Sequence, residues 1–224
     1  MTEQKSMSAP APYPGLFLTF EGIDGVGKTT QVQLLAKWIR EELGREAITT
    51  FEPGDTLLGH SIRTLLLNPE RTAAPVSARA EALLYAADRA QHVHEVILPG
   101  LKRGAVVISD RYIDSSLAYQ AGGRELSSEQ ILDMSRLATG DVWPVRTYLL
   151  DMSVEQSHRR VTQVRGEHPD RLEEESASFH ERTRRAFLKL AQKNPERYLV
   201  IDATQSIEQI QAQLRDDVRK LVEQ

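Results

Sequence analysis

Eight consecutive residues, Gly22-Ile23-Asp24-Gly25-Val26-Gly27-Lys28-Thr29, carry the spacing G-x-x-x-x-G-K-T, with Thr30 next. Glycines at these places let a loop turn tightly and aim successive backbone N–H groups at phosphate oxygens. A helix opening at Lys28 adds its positive end to the same anion. Lys28 can then reach β- and γ-phosphates, and the Thr29 hydroxyl is placed for Mg²⁺. An apolar strand before the loop and an amphipathic helix after it are the context such a cradle requires, and both are present. Asp24, inside the loop, is either a capping acid or an acid facing a second substrate. Further along, the apolar run 105–109 ends in Asp110-Arg111-Tyr112. An acid at a strand end beside a phosphate loop suits a metal-linked carboxylate, and an arginine beside it can grip phosphate bidentately. A plain Asp–Arg salt bridge is the other reading.

These groups need a frame. Short apolar, β-branched runs at 16–21, 47–51, 105–109, 147–151 and 198–202 alternate with helical patterns near 28–43, 57–67, 76–101, 127–138, 153–164, 173–193 and 206–222. The runs are apolar on both faces, as in strands covered on both sides. The alternation predicts βαβ units, a parallel sheet and ligands at the strands' carboxyl ends. Residues 1–15, rich in Pro, Ser and Ala, predict a disordered tail before a single domain over 16–224. The chain has 224 residues, ample for a buried core, and 28 Lys and Arg against 32 Asp and Glu give net charge −4. That balance speaks against binding nucleic-acid backbones. The absence of cysteine excludes disulfides, thiol nucleophiles and thiolate metal sites. No apolar run approaches membrane-spanning length and no secretory signal opens the chain, which predicts a cytoplasmic protein without a membrane partner.

Longer stretches narrow the class. There is no N-K-x-D for a guanine base. Phe20-Glu21-Gly22 through Thr30, Glu52-Pro53-Gly54, Leu84-Tyr85-Ala86-Ala87-Asp88-Arg89-Ala90-Gln91-His92 and Asp110-Arg111-Tyr112-Ile113-Asp114-Ser115-Ser116-Leu117-Ala118-Tyr119-Gln120 occur in that order. Together they resemble the bacterial thymidylate kinases, of the nucleoside monophosphate kinase group of P-loop NTPases, over about 16–222. The resemblance implies a three-layer α/β fold with a five-stranded parallel sheet flanked by helices, plus a short helical lid. It implies ATP and dTMP as substrates, Mg²⁺ as cofactor and a homodimer joined through helices, 76–101 among them.

Residue by residue, the resemblance implies that Tyr85 stacks on thymine and Arg89 bonds its O4. Positions i and i+4 of a helix share a face, so both can line one pocket. Read without the family, Tyr85 is a core aromatic, and Arg89 an exposed helix arginine paired with Asp88 or Glu81. Ser116 and Gln120 match base-pocket positions, and Tyr119 a tyrosine that crowds the sugar C2′. Arg111 matches the arginine on the acceptor phosphate, Glu52 and Arg63 residues around monophosphate and sugar, and Asp24 an acid on the acceptor side. Asp110 joins Thr29 as the metal-linked pair. Some relatives carry an arginine where Gly25 stands; the rest supply that charge from a lid. Here the candidate lid is about 158–171, with Arg159, Arg160, Arg165 and Arg171, and Arg165 beside Gly166 is assigned the catalytic role with Lys28, Arg111 and Asp24. Two departures stand out. Phe51 replaces a common arginine and Asp55 a common glycine, adding an acid near a phosphate pocket, which is unfavourable unless paired or turned outward. The rival readings are a kinase for another nucleotide or nucleoside, and a P-loop regulatory module without turnover.

Overall fold

A computed structural model describes residues 13–68, 76–124, 126–165 and 175–223, without the side chains of 163–165. Five strands form one sheet in the order β2-β3-β1-β4-β5: β1 Leu16–Glu21, β2 Ala47–Phe51, β3 Val106–Asp110, β4 Arg146–Asp151 and β5 Tyr198–Asp202. Every pairing is parallel. Phe20 and Phe51 both pair with Asp110, so the carboxyl ends of the three strands finish at one level. The connection leaving β1 runs to one side and that leaving β3 to the other, which makes the cleft between these strands the topological switch point.

Both faces are covered. Leu18 and Phe20 point into a core with Val32, Leu35, Ala36 and Ile39 of α1 (Lys28–Glu42) and Ile210, Leu214 and Val218 of α9 (Ile207–Val222). The i, i+3, i+4, i+7 spacing in α1 is what gives that helix one buried stripe. Phe17 and Val107, one residue out of phase, pack on the opposite layer against Val93, Ile97 and Leu101. That layer also holds α2 (Leu57–Leu67), α3 (Ala78–His92), α6 (Ser128–Thr139) and α8 (Ala177–Lys193). The expected three-layer α/β architecture with a five-stranded parallel sheet is found. No helix among the described residues is long and apolar enough to cross a membrane.

The helix expected over 76–101 is not continuous. It breaks after α3 into a π-helical turn, Val93–Ile97, and a short α4, Leu98–Lys102. The Leu98 N–H reaches back five residues to Val93 O, and Pro99 follows with no N–H to restore the α-helical ladder. A second wide turn was not anticipated: α5 (Ile113–Ser116) runs into π-helical Leu117–Gly123. Its glycines let α8 approach, because a Cβ on Gly122 would lie 2.5 Å from Ala186 and one on Gly123 2.5 Å from Phe179. Strand β3 starts and ends one residue later than expected, which brings Asp110 into the ladder and leaves Arg111 as the first residue beyond it. Of the expected tail, 1–12 lie outside the described residues, while Gly15 N–H donates to Leu101 O. Of the expected lid, 158–165 belong to α7 (Val154–Arg165); the Arg165 side chain, Gly166, Pro169 and Arg171 lie outside the described residues.

Beneath the site, α5 is pinned by a buried ion pair. Arg197 clasps Asp114 with Nη1–Oδ2 2.6 Å and Nη2–Oδ1 2.8 Å, and Nη1 also donates to Thr147 Oγ1. Burial alone would raise the Asp114 pKa, but the Arg197 charge reverses this and holds it below the usual carboxylate range. Removing one partner leaves a buried charge uncompensated, so Asp114→Ala is expected to lower the unfolding free energy by about 3–5 kcal/mol. Urea unfolding monitored by circular dichroism checks this, and a loss under about 1 kcal/mol would contradict it.

Candidate active site

The carboxyl ends of β1, β2 and β3 open into one cavity of about 1040 Å³. It runs from Tyr85 and Arg89 at one end, past Asp24, Lys28 and Arg111, to Arg160, Gln205 and Ile207 at the other. Small-molecule pockets run to about 300–1,000 Å³, so this cavity lies at the upper end of that range.

The loop at its centre has the expected shape. Gly22, Gly25 and Gly27 have φ of 134°, 78° and 92°, and Gly27 caps α1 in the left-handed conformation. A Cβ at Gly22 would sit 2.3 Å from Leu150 O. Ile23 and Val26 are buried and anchor the loop in the core. Lys28 is buried and curls over the loop, donating to Gly22 O and Ile23 O at 3.2 and 3.0 Å. Burial, then the Arg111 charge, lowers its pKa to about 8, against Asp110, Asp24 and Glu21. An anion in the loop would offset that like-charge repulsion. Thr29 and Thr30 are exposed, and Thr29 Oγ1 donates to Asp110 Oδ2 at 2.7 Å. A hydroxyl and one carboxylate are the hard oxygen donors that a Mg²⁺-like ion takes from protein when phosphates and water complete its shell. Among the described residues no three His, Cys, Asp or Glu cluster as a metal cage.

Arg111 stands across from the loop. Its φ of 74° turns the chain sharply out of β3, and Ser109 Oγ donates to its carbonyl at 2.7 Å. Nη1 donates to Gly22 O and Ser115 Oγ, and Nη2 to Asp24 Oδ1 at 2.6 Å. The guanidinium lies 5.1 Å from the centre of the Tyr119 ring, whose hydroxyl donates to Asp24 Oδ2 at 3.1 Å. Burial would raise the Asp24 pKa, yet Arg111 and Lys28 outweigh it and hold the carboxyl far below its usual range. Asp24 is therefore ionised and paired, rather than a cap of α1, which has no side-chain cap. Behind Arg111 lies Glu21, fully buried and accepting from Tyr112 N–H, Ser115 N–H and Ser115 Oγ–H. Burial and the nearby Asp114 charge push its pKa to about 8, against Arg111 and Ser115.

At the far end, Arg89 is buried rather than exposed and pairs with neither Asp88 nor Glu81. Its Nε donates to Glu52 Oε2 at 2.8 Å and its Nη2 to Tyr112 O and Ser116 Oγ at 3.1 and 3.0 Å. Tyr85, Ser116, Tyr119 and Gln120 line the same end, with Gln120 Nε2 donating to Glu81 at 2.9 Å. Both oxygens of Glu52 are engaged by protein, Oε2 by Arg89 and Oε1 by His92 Nδ1 at 2.8 Å. Arg63 donates to Pro53 O and stands over the Phe51 ring. The added acid Asp55 is both exposed and paired, because Thr50 Oγ1 donates to Oδ2.

Helix α7 closes down on the loop. Ser157 Oγ donates to Asp24 O, and a Cβ on Gly25 would meet Ser157 O at 2.7 Å and Val161 Cγ2 at 2.8 Å. Arg160 lines the cavity and donates to Ala203 O, while Arg159 turns away to Glu155. Sequence reasoning missed Glu21 and His92 as members of the site. The one signal for Glu21 is a lone acid ending an otherwise apolar strand; for His92 it is a position three residues beyond Arg89 on the same helix face.

Between about 4.5 and 8 the folded chain keeps a Glu21 proton that the unfolded chain releases, so this group's contribution to stability is present below 4.5 and lost as pH rises through 8. Glu21→Gln removes that titration. The parent's melting temperature minus the variant's should therefore fall between pH 5 and pH 8.5, read by circular dichroism; an unchanged difference would refute it.

Comparison with known proteins agrees with this geometry. The thymidylate kinase family matches residues 20–214. A thymidylate kinase of Bifidobacterium longum (strain DJO10A) is 54% identical over 208 residues, covering 92% of this chain and 98% of that protein. One from Clavibacter sepedonicus is 50% identical over 208 residues, covering 93% and 96%. The crystal structure of thymidylate kinase from Ehrlichia chaffeensis superposes with TM-score 0.74 at 33% identity, covering 92% of this chain and 98% of that one.

Proposed function

The chain belongs to the thymidylate kinase family, and from that premise we propose how its own residues carry the reaction. The activity is phosphorylation of dTMP to dTDP with ATP as donor, a step of dTTP synthesis. The observation that carries the residue assignment is the single cavity joining the phosphate loop to the Tyr85–Arg89 end, with Arg111 between them.

In this reading residues 22–30 hold the ATP phosphates through backbone N–H groups, with Lys28 on the β- and γ-phosphates. Thr29 and Asp110 hold Mg²⁺, which supplies charge neutralisation on the transferring phosphate. Tyr85 stacks on thymine, and Arg89, Ser116 and Gln120 bond its edge. Tyr119 crowds C2′, and Glu52 and Arg63 frame the sugar and monophosphate. Asp24 keeps Arg111 beside the loop, where its guanidinium meets the acceptor phosphate. An acceptor phosphate oxygen forms a bond to the γ-phosphorus in line as the β–γ bridging bond breaks, and the bond electrons stay with ADP. The nucleophile is already ionised at neutral pH, so no general base is needed. Arg165 adds charge from the lid; Arg160, at the donor end, is a second cation on the same helix. Lid closure would exclude water and protect ATP from hydrolysis.

The homodimer belongs to this reading too. Leu58 and Leu65 of α2 and Leu83 of α3 expose apolar side chains on adjacent helices, as a helix-mediated interface requires. A cytoplasmic site of action follows from the substrates.

The test is ATP consumption with Mg²⁺ and dTMP, dUMP, UMP, dCMP, dGMP or AMP in turn. Selective turnover of dTMP is expected. Arg89→Ala should raise KM for dTMP by about tenfold or more while leaving KM for ATP within about twofold. Arg111→Ala should lower kcat by about 10²–10³-fold. Equal use of all acceptors, or equal damage to both substrates from Arg89→Ala, would sink the pocket assignment.

A further inference from the structure

Arg89 has five N–H bonds to direct. Nε and both protons of Nη2 are taken by Glu52, Tyr112 O and Ser116 Oγ, and among the described residues Nη1 has no protein partner. The residue lines the cavity, so these two protons are what it can offer a ligand. Whether they stay aimed depends on Glu52.

A carboxylate and the Nε–Nη2 edge of a guanidinium match in shape and favour a two-bond, side-on pair. That pair does not form here. Glu52 gives Arg89 only Oε2, because Oε1 is held by His92 Nδ1 at 2.8 Å. If Oε1 turned onto Nη2, it would displace Tyr112 O or Ser116 Oγ, rotating the guanidinium and freeing Ser116. His92 is itself held from the other side. Its Nε2 meets Thr50 Oγ1, and the Thr50 hydroxyl proton goes to Asp55 Oδ2, a carboxylate that can only accept. The ring is thus fixed between Glu52 and Thr50 of β2, and Thr50 is in turn tied to the residue that replaces the usual glycine after that strand. His92 is buried, as are Glu52 and Arg89, so water does not compete for these bonds.

We propose that His92 is a positioning residue for acceptor recognition: it holds Glu52 in the one-bond orientation that leaves the Arg89 fork aimed into the pocket. The inference rests on the reading of the Tyr85–Arg89 end as the acceptor-base site. It is distinct from a role in merely attaching α3 to β2, because His92 acts on the ligand through Arg89 alone.

Steady-state kinetics with full-length protein, varying dTMP and ATP separately, tests this. His92→Ala is expected to raise KM for dTMP about tenfold, with kcat and KM for ATP within about twofold. In His92→Asn the amide nitrogen takes the place of Nδ1 and keeps Glu52, so KM for dTMP should return to within about threefold of the parent. In His92→Gln the amide reaches Thr50 instead, and the defect should remain. On an Arg89→Ala background, His92→Ala should add nothing further. If His92→Ala fails to fold, the Asn–Gln pair carries the comparison, and equal behaviour of the two overturns the proposal. So does a His92→Ala effect that falls on both substrates, or one that adds in full to Arg89→Ala. If Arg89→Ala itself leaves KM for dTMP unchanged, it is the pocket reading that fails; if Arg89→Ala is impaired and His92→Ala is not, only the positioning role fails.

Discussion

The Arg111 guanidinium ties the phosphate loop to α5 across the cleft. It bonds Gly22 O at the start of the phosphate loop, Ser115 on α5 and Asp24 across the cleft, from a backbone held at positive φ. That is possible only because β1 and β3 are neighbours in exact step, with Phe20 opposite Asp110 and Arg111 N–H continuing the ladder to Phe20 O at 2.9 Å. A parallel pair offset by one residue would turn the Asp110 side chain to the other face of the sheet and carry Arg111 out of reach. The positions of the loop, of Thr29 beside Asp110 and of the Tyr85–Arg89 end of the cavity all follow from this register.

Charge is arranged in depth around it. Asp114 is fully buried and has its own cation in Arg197, which offsets its burial and keeps it ionised. Glu21 has no cation of its own; three hydrogen-bond donors and a distant share of Arg111 do not overcome its burial. Asp24, nearest the cavity, is flanked by both Arg111 and Lys28 and stays anionic. The Arg111 charge is thus already paired inside the protein.

Much of this was legible in local sequence. The loop, the strand ends and Asp110-Arg111 are contiguous or set by strand periodicity, so their geometry follows from nearby residues. Tyr85 and Arg89 could be placed on one face from i, i+4 spacing. What could not be read was anything resting on distant pairs. The burial of Arg89 depends on Glu52, 37 residues earlier, and that of Glu21 on Tyr112 and Ser115, more than 90 residues later. The two wide helical turns were hidden for another reason. An apolar pattern does not distinguish four-residue from five-residue hydrogen-bond spacing, and at Val93–Ile97 the decisive feature is one missing N–H at Pro99. Asp55 looked like a charge out of place; its partner Thr50 makes it a support.

Helix α7 lies so close over Gly25 that even a methyl group there would strike Ser157 O and Val161. The present seat of α7 and any side chain at position 25 exclude each other. An arginine in the loop and the present α7 are therefore two solutions that one substitution cannot interchange. The helix would first have to shift, and the contact from Ser157 to Asp24 would be lost before the new arginine could contribute. The two solutions are separated by a valley rather than a slope, and the order of mutations decides whether it can be crossed.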